Sequence, residues 1–288
     1  MWLLKLFSIS VLIYSSGKLV GRIKYVFTKD HYDLYRIKRK YRIQEDELEA
    51  FLESKFRYFK NLSAAGRKKC MARMWKVFHE SEFVGYQGLE ITDEIKYCVI
   101  FSKIQLTYGL NLFQFDNFKK FILYPESFYS KFFEMELKGL TSGSGFITLS
   151  WKDFEHGYLI HNDKFNLGLH EMAHALRLEL DSRSIHRKMN TYSNKFDRHA
   201  VKEMNLSERG APDVLRDYAM TNDEEFFAVC VEYFFEVPDL LRDLKPEIFT
   251  TLRLMLNQDP LNYQNDYKLE KAESAFVNQN SGNRAMDV

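Results

Sequence analysis

An H-E-x-x-H motif inside an apolar segment limits the fold of this chain more than any other feature. The motif is His170-Glu171-Met172-Ala173-His174, and most residues of 167–176 are apolar. Residues four apart share a helix face, so the two histidines can bind one zinc ion, and Glu171 can reach a water molecule on that ion. The motif predicts a buried zinc-binding helix over 166–180. A buried helix whose histidines only satisfy local hydrogen bonds stays open as the alternative.

A second apolar segment offers candidates for the third protein ligand that a catalytic zinc site needs. Residues 222–236 are rich in aromatic and aliphatic side chains, and Asn222 or Asp223 can cap a helix there. Glu225 and Glu232 lie seven residues apart in this segment. Burial of a carboxylate is unfavourable unless it is paired or bound to metal. The pattern favours a ligand among these glutamates but leaves an ordinary helix with a solvated edge open.

Further motifs stand in a fixed order around these two segments. They are FILYP at 121–125, GFITLSW at 145–151, FNL at 165–167, DYA at 217–219, EFFAV at 225–229, EYFF at 232–235 and QDP at 258–260. With these motifs, over roughly residues 60–265, the chain resembles the Mlc titration factor A family of zinc-dependent peptidases, a group of gluzincins. The segment 181–216 diverges from that family, so a substrate preference cannot be transferred.

The resemblance implies a role for each matching position. It implies one Zn²⁺ per chain, held by His170, His174 and Glu225. Glu171 matches the catalytic base, and Tyr218 matches a tyrosine that stabilises the tetrahedral intermediate. Glu232 matches an acid that supports the ligands without binding the metal.

The activity that the resemblance implies is zinc-dependent hydrolysis of peptide bonds in a peptide or protein substrate. The family's namesake titrates a transcriptional repressor, so a protein-binding regulator of a transcription factor, with a structural or vestigial zinc site, is an alternative. Glu171 argues against a pure binder, because binding alone needs no catalytic base. A zinc ion with only a structural role is disfavoured, because such sites usually use cysteines and the three cysteines here are scattered.

The order of segments predicts a helix-rich α+β fold, a zincin-like metallopeptidase domain over 43–264 with a small sheet beside the H-E-x-x-H helix. Strands are predicted over 118–124 and 145–151, with a flexible turn at 141–145 between them. The second strand is expected to offer its edge to an extended peptide. Periodicity does not decide whether 95–106 is a strand or a helix.

Composition limits the partners and the compartment. The net charge of +1 gives no case for nucleic acid as a partner. Three cysteines without regular spacing indicate buried thiols in a reducing compartment, not a disulfide framework. We therefore predict a cytoplasmic protein.

The two ends of the chain differ from the central domain. Residues 6–17 carry no charge, and nine lysines and arginines follow within 18–42. An apolar stretch this short falls below the roughly 20 residues of a typical spanning helix. For residues 1–42 the pattern leaves open an anchor on the inner face of the membrane, a signal peptide and a packed amphipathic helix. The polar residues 265–288 are predicted to be a disordered tail.

Overall fold

The protein is mostly helical and contains a small mixed sheet, as the sequence predicts. The structure, a computed structural model, describes residues 45–182, 187–208 and 215–270. The helices are α1 (Glu45–Lys55), α2 (Arg57–Lys60), α3 (Ala64–Glu80), α4 (Asp93–Thr107), α5 (Trp151–Leu159), α6 (Leu167–Ser182), α7 (Arg187–Glu208), α8 (Asp223–Glu236), α9 (Pro238–Leu244) and α10 (Pro246–Leu256). Short 3₁₀-helices lie at Asp217–Met220 and Tyr263–Asn265. The α+β, zincin-like class is confirmed.

The main sheet has four strands, and a separate two-stranded hairpin comes just before one edge strand, Gly139–Ser142, in the chain. The strands are β1 (Glu82–Gly85), β2 (Lys120–Tyr124), β3 (Phe128–Ser130), β4 (Met135–Leu137), β5 (Gly139–Ser142) and β6 (Phe146–Ser150). The order in the main sheet is β1-β2-β6-β5, while β3 pairs with β4. Strands β1, β2 and β6 run parallel, and β5 pairs antiparallel with β6.

The position of β5 corrects one prediction about the sheet. Strand β6 lies between β2 and β5, so the expectation that segment 145–151 offers a free edge is wrong. The edge strand on this side is β5, part of which the sequence analysis assigned to a flexible turn because threonine, serine and glycine dominate it. The turn itself is shorter and is closed by a hydrogen bond from Gly145 N to Ser142 O (2.9 Å). Gly145 has φ +90°, a conformation that glycine adopts readily.

Segment 95–106, which periodicity left undecided, is part of helix α4. Thr92 caps it by accepting a hydrogen bond from Ile95 N at Oγ1 (3.3 Å). Val99, Ile100 and Phe101 are consecutive and fully buried. Three neighbouring helix residues point in different directions, so α4 is buried on most sides and shows no amphipathic period.

Helix α6 lies at the centre of the domain. It packs against α4, α5, α8, β5 and β6. Asn166 caps its first turn, because Asn166 Oδ1 accepts a hydrogen bond from Leu169 N (3.0 Å). At Gly168 an added Cβ would lie 2.5 Å from the Phe154 ring and 2.6 Å from Ser102 Oγ. Glycine at this position therefore allows α6 to approach α4 and α5 closely.

A buried acid near the end of α6 holds the loop that leads into β2. Glu179 is fully buried and accepts hydrogen bonds from Asp116 N (2.8 Å) and Asn117 N (3.2 Å). Lys103 of α4 is also buried and donates to Phe118 O (3.3 Å). Burial lowers the pKa of Lys103 to about 7, although Glu179 opposes the shift. From inside the core, the two side chains thus satisfy polar backbone groups of this loop.

The predictions for the chain ends fall largely outside the described residues. By its contacts the chain divides into residues 1–48 and 49–288, and the predicted arm 1–42 belongs to the part that the structure does not describe. Among the described residues no helix is long and apolar enough to cross a membrane. Packing continues past 264, because Asp266 accepts a hydrogen bond from Ser63 N (2.7 Å) and Tyr267 is buried.

Helix α8 depends on its cap, which gives a first prediction. Asn222 Oδ1 accepts hydrogen bonds from Glu224 N (3.0 Å) and Glu225 N (2.9 Å). Asn222→Ala removes this acceptor and should lower the free energy of unfolding by about 1 kcal/mol in a denaturant titration. Asn222→Asp keeps an acceptor oxygen and should lose much less. Equal losses in the two variants would show that the cap does not stabilise α8.

Candidate metal centre

Helices α6 and α8 bring two histidines and one glutamate together. His170 Nε2 lies 3.1 Å from His174 Nε2 and 3.1 Å from Glu225 Oε2, and His174 Nε2 lies 3.6 Å from Glu225 Oε1. One ligand atom from each residue lies within 4.8 Å of the others, the arrangement of a candidate metal site. The spacing of i and i+4 in α6 sets the distance between the histidines, and the packing of α6 on α8 adds the glutamate.

The donor atoms of this cluster fit a tetrahedral metal ion. Ligands about 2.0–2.1 Å from a zinc ion in tetrahedral geometry are separated by about 3.3 Å. Glu225 Oε2 is buried and forms no hydrogen bond among the described residues, although it lies 3.1 Å from His170 Nε2. Two nitrogens and a carboxylate therefore face one another, and a cation bound between them would satisfy their lone pairs.

Charge in the cluster favours a cation as well. Burial lowers the pKa of His170, but the carboxylates of Glu225 and Glu232 outweigh burial and raise it. Burial raises the pKa of Glu225, but the two histidines outweigh burial and hold it well below its usual range. The carboxylate is therefore ionised at neutral pH and attracts positive charge to the site.

Glu232 orients the first histidine. Glu232 Oε1 lies 2.8 Å from His170 Nδ1, and Arg216 also donates to this oxygen. Glu232 Oε2 accepts a hydrogen bond from Asn166 N (2.6 Å). A carboxylate at Nδ1 keeps a proton on that nitrogen, so a metal ion at Nε2 would displace only the second proton, the one that the raised pKa of His170 favours.

Glu171 lies beside the cluster without joining it. Its side chain is 4 % exposed, and Thr141 Oγ1 of β5 lies within hydrogen-bonding distance of Glu171 Oε2 (2.7 Å) and Glu171 O (2.9 Å). At Gly139 an added Cβ would lie 2.1 Å from Glu171 Oε1, so glycine makes room for the carboxylate. Burial raises the pKa of Glu171, against the opposing effect of the histidines and Thr141. A raised pKa suits a carboxylate that exchanges protons near neutrality.

Tyr218 stands at the open side of the cluster. It belongs to the 3₁₀-helix Asp217–Met220, its side chain is 53 % exposed, and its ring centroid lies 6.1 Å from that of His170. Burial and the neighbouring Glu225 carboxylate raise the pKa of Tyr218, so the phenol keeps its proton at neutral pH. It can therefore donate a hydrogen bond to a group bound at the cluster.

The structure thus brings together all five predicted site residues, which are His170, Glu171, His174, Tyr218 and Glu225. It also separates the glutamates at 224, 225 and 232 of α8, because Glu224 is exposed while Glu232 contacts His170. The sequence analysis gave no role to Thr141, Gly139 or Arg216. The fold brings these residues to the site, and their distance in sequence from the H-E-x-x-H motif does not predict that they lie there.

A helix-rich α+β domain with this histidine and glutamate cluster beside the edge strand of a small sheet has the architecture of a zincin-like metallopeptidase. The chain belongs to the glucose-regulated metallo-peptidase M90 family, whose model matches residues 32–256. This finding confirms the resemblance to Mlc titration factor A that the sequence motifs indicated.

Individual relatives are distant but extend over much of the chain. A Mlc titration factor A of Yersinia pestis (strain Pestoides F) is 24% identical over 219 residues, which cover 65% of this chain and 75% of the relative. An uncharacterized protein of Synechocystis is 22% identical over 272 residues, which cover 84% of this chain and 95% of the relative. The family implies a metal ion, for which the cluster on α6 and α8 is a candidate site.

The contact between Glu232 and His170 gives a second prediction. Glu232→Gln removes the charge behind His170 and should weaken Zn²⁺ binding about 10–100-fold in a competition titration with a chelator. Glu224→Gln makes the same change on the same helix at an exposed position, and it should leave the affinity unchanged. Equal affinities of wild type and Glu232→Gln would show that Glu232 does not tune the site.

Proposed function

We propose that the protein is a zinc-dependent peptidase whose base is Glu171. One observation supports this proposal above the others: a buried carboxylate lies next to the candidate metal ligands, is held by Thr141 and takes no part in the cluster. A structural metal site has no need for such a group, whereas hydrolysis needs a base to take a proton from water.

The donor set suits zinc. Two imidazole nitrogens and one carboxylate from His170, His174 and Glu225 are a ligand combination of catalytic zinc sites, which leave the fourth position to water or substrate. When bound there, zinc would polarise the scissile carbonyl and lower the pKa of water. The role of Glu232 would be to keep His170 in the tautomer that binds metal.

The chain's own residues would carry the proton transfers. Glu171 takes a proton from the attacking water and delivers it to the leaving amine. Thr141 restricts the rotation of the Glu171 carboxylate and keeps it beside the cluster. Tyr218 donates a hydrogen bond to the oxyanion that develops on the substrate carbonyl.

Strand β5 is the element that we propose to seat the substrate. It is an edge strand of the four-stranded sheet, and the same strand places Thr141 against Glu171. An extended peptide can add to a sheet edge through backbone hydrogen bonds. Pairing with β5 would place a peptide bond close to Glu171 and would not depend on the substrate's side chains.

A regulatory role is the second candidate. The name Mlc titration factor A says of the relatives that they titrate Mlc, and the alternative function for this chain is binding to a protein partner. Binding of that kind would need neither Glu171 nor a metal. The two functions therefore differ in their response to substitution at Glu171.

The third prediction separates these functions. Glu171→Gln removes the base while its size changes little, so it should keep bound zinc and lower the rate of peptide hydrolysis about 10²–10⁴-fold. Zinc content by elemental analysis and cleavage of a peptide library are the two measurements. The matched control is Glu224→Gln, which makes the same change at an exposed site and should cleave like wild type. Cleavage at the wild-type rate by Glu171→Gln would exclude the base, and a wild-type protein without zinc-dependent cleavage would favour the binding role.

The fourth prediction concerns Tyr218. Its phenol donates most strongly when charge develops on the substrate, so Tyr218→Phe should lower kcat by about 10²-fold or less and change KM little. Steady-state kinetics on one peptide gives both constants. A Tyr218→Phe variant with unchanged kcat and a lowered melting temperature would assign the tyrosine a purely structural role.

A further inference from the structure

A cavity that is distinct from the metal centre is lined in part by Asn166. Its volume is about 390 Å³, within the range of roughly 300–1,000 Å³ found for small-molecule sites. It is lined by residues of α2, α4, α5, the end of α8, the start of α9 and the segment around the 3₁₀-helix Tyr263–Asn265. Of the described residues that line it, none belongs to the cluster of His170, His174 and Glu225.

Aromatic side chains form much of the cavity wall. They include Phe56, Tyr58, Phe154, Tyr158, Phe235 and Tyr267. Tyr58 stacks on Tyr267 with ring centroids 3.9 Å apart, and the Phe56 and Tyr158 rings are 5.3 Å apart. Two hydroxyls are already engaged, because Tyr58 donates to Gln258 Oε1 and Tyr267 donates to Tyr58 O. The aromatic part of the wall therefore offers mainly apolar surface and ring faces, which attract cations.

One acid in the lining has an unsatisfied oxygen. Glu236 Oε1 accepts a hydrogen bond from Asn166 Nδ2 (3.1 Å), whereas Glu236 Oε2 is buried and has no hydrogen-bond partner within the described residues. A buried polar atom without a partner is unfavourable by about 1–3 kcal/mol, so such atoms mark places where a ligand or an ion can bind. An ammonium group bound beside Glu236 would supply a hydrogen-bond donor and would favour the ionised form of the carboxyl group.

The charges around Glu236 support a cationic ligand. Asp163 and Glu232 add negative potential at Glu236, and Arg57 opposes them. Arg57 also lines the cavity, but it is exposed, so solvent and salt screen its charge. Burial, with Asp163 and Glu232, raises the pKa of Glu236 to about 8, against Asn166 and Arg57. His161 and Asp239 also line the cavity, and burial and Arg57 lower the pKa of His161.

We propose that this cavity binds a small primary amine with an apolar or aromatic body, whose ammonium group pairs with Glu236 while its body packs against the aromatic wall. The site does not depend on the peptidase activity or on a bound metal. The cavity is nevertheless connected to the metal centre by a chain of contacts. Asn166 contacts both Glu236 and Glu232, and Glu232 contacts His170.

Binding of an amine should release a proton from the protein. At pH 7 a carboxyl group with a pKa of about 8 is mostly protonated, and a bound ammonium favours its ionised form. Isothermal titration calorimetry of the full chain with phenethylamine, in buffers of different ionisation enthalpy, should therefore show release of close to one proton per ligand at pH 7. At pH 9 Glu236 is already ionised, so the release should fall towards zero.

Three probes of similar shape test the charge requirement. Phenethylamine should bind at least about tenfold more tightly than phenethyl alcohol or phenylacetate. Glu236→Gln should weaken phenethylamine binding by at least about tenfold, while Asp239→Asn, the matched change at an exposed lining residue, should not. Binding of phenylacetate in preference to the amine, equal affinity in Glu236→Gln, or binding without proton release would each overturn the proposal.

Discussion

The site depends on one buried carboxylate, that of Glu232, and on the hydrogen bonds that this group accepts. Glu232 is 2 % exposed and receives hydrogen bonds from three separate parts of the chain, namely His170 in α6, the backbone of Asn166 before α6, and Arg216 before the 3₁₀-helix that carries Tyr218. A buried charge is tolerated only with such a full set of partners. One side chain of α8 thereby fixes both the start of α6 and the ring of its first histidine.

The same two helices give neighbouring glutamates different properties. Glu225 faces both histidines and has a lowered pKa, whereas Glu171 is buried against β5 and has a raised pKa. The environment, not the residue type, makes one carboxylate suited to a cation and the other suited to proton transfer. The cap at Asn222 and the close approach at Gly168 are the local features that place α8 and α6 where these environments arise.

The sequence could predict the parts of the site that lie on one helix or repeat a known motif. The i, i+4 histidines follow from helix geometry, and Glu225 was singled out by the family resemblance, since periodicity left Glu232 equally open. Thr141 and Gly139 could not be predicted, because they reach Glu171 through the pairing of β5 with β6, which is a non-local contact. For the same reason the edge strand was assigned to β6, since a short strand rich in threonine and glycine resembles a turn. Helix α4 was ambiguous because burial on most sides removes the amphipathic period.

Anomalous diffraction at the zinc absorption edge, on crystals of the full chain equilibrated with Zn²⁺, tests the proposed metal centre most directly. If α6 and α8 form that centre, the anomalous map will show one strong peak about 2.0–2.2 Å from His170 Nε2, His174 Nε2 and a carboxylate oxygen of Glu225, with Glu171 near the peak but not bound to it. A peak held by other side chains, or no peak between these three residues, would contradict the assignment of this protein's cluster as a zinc site.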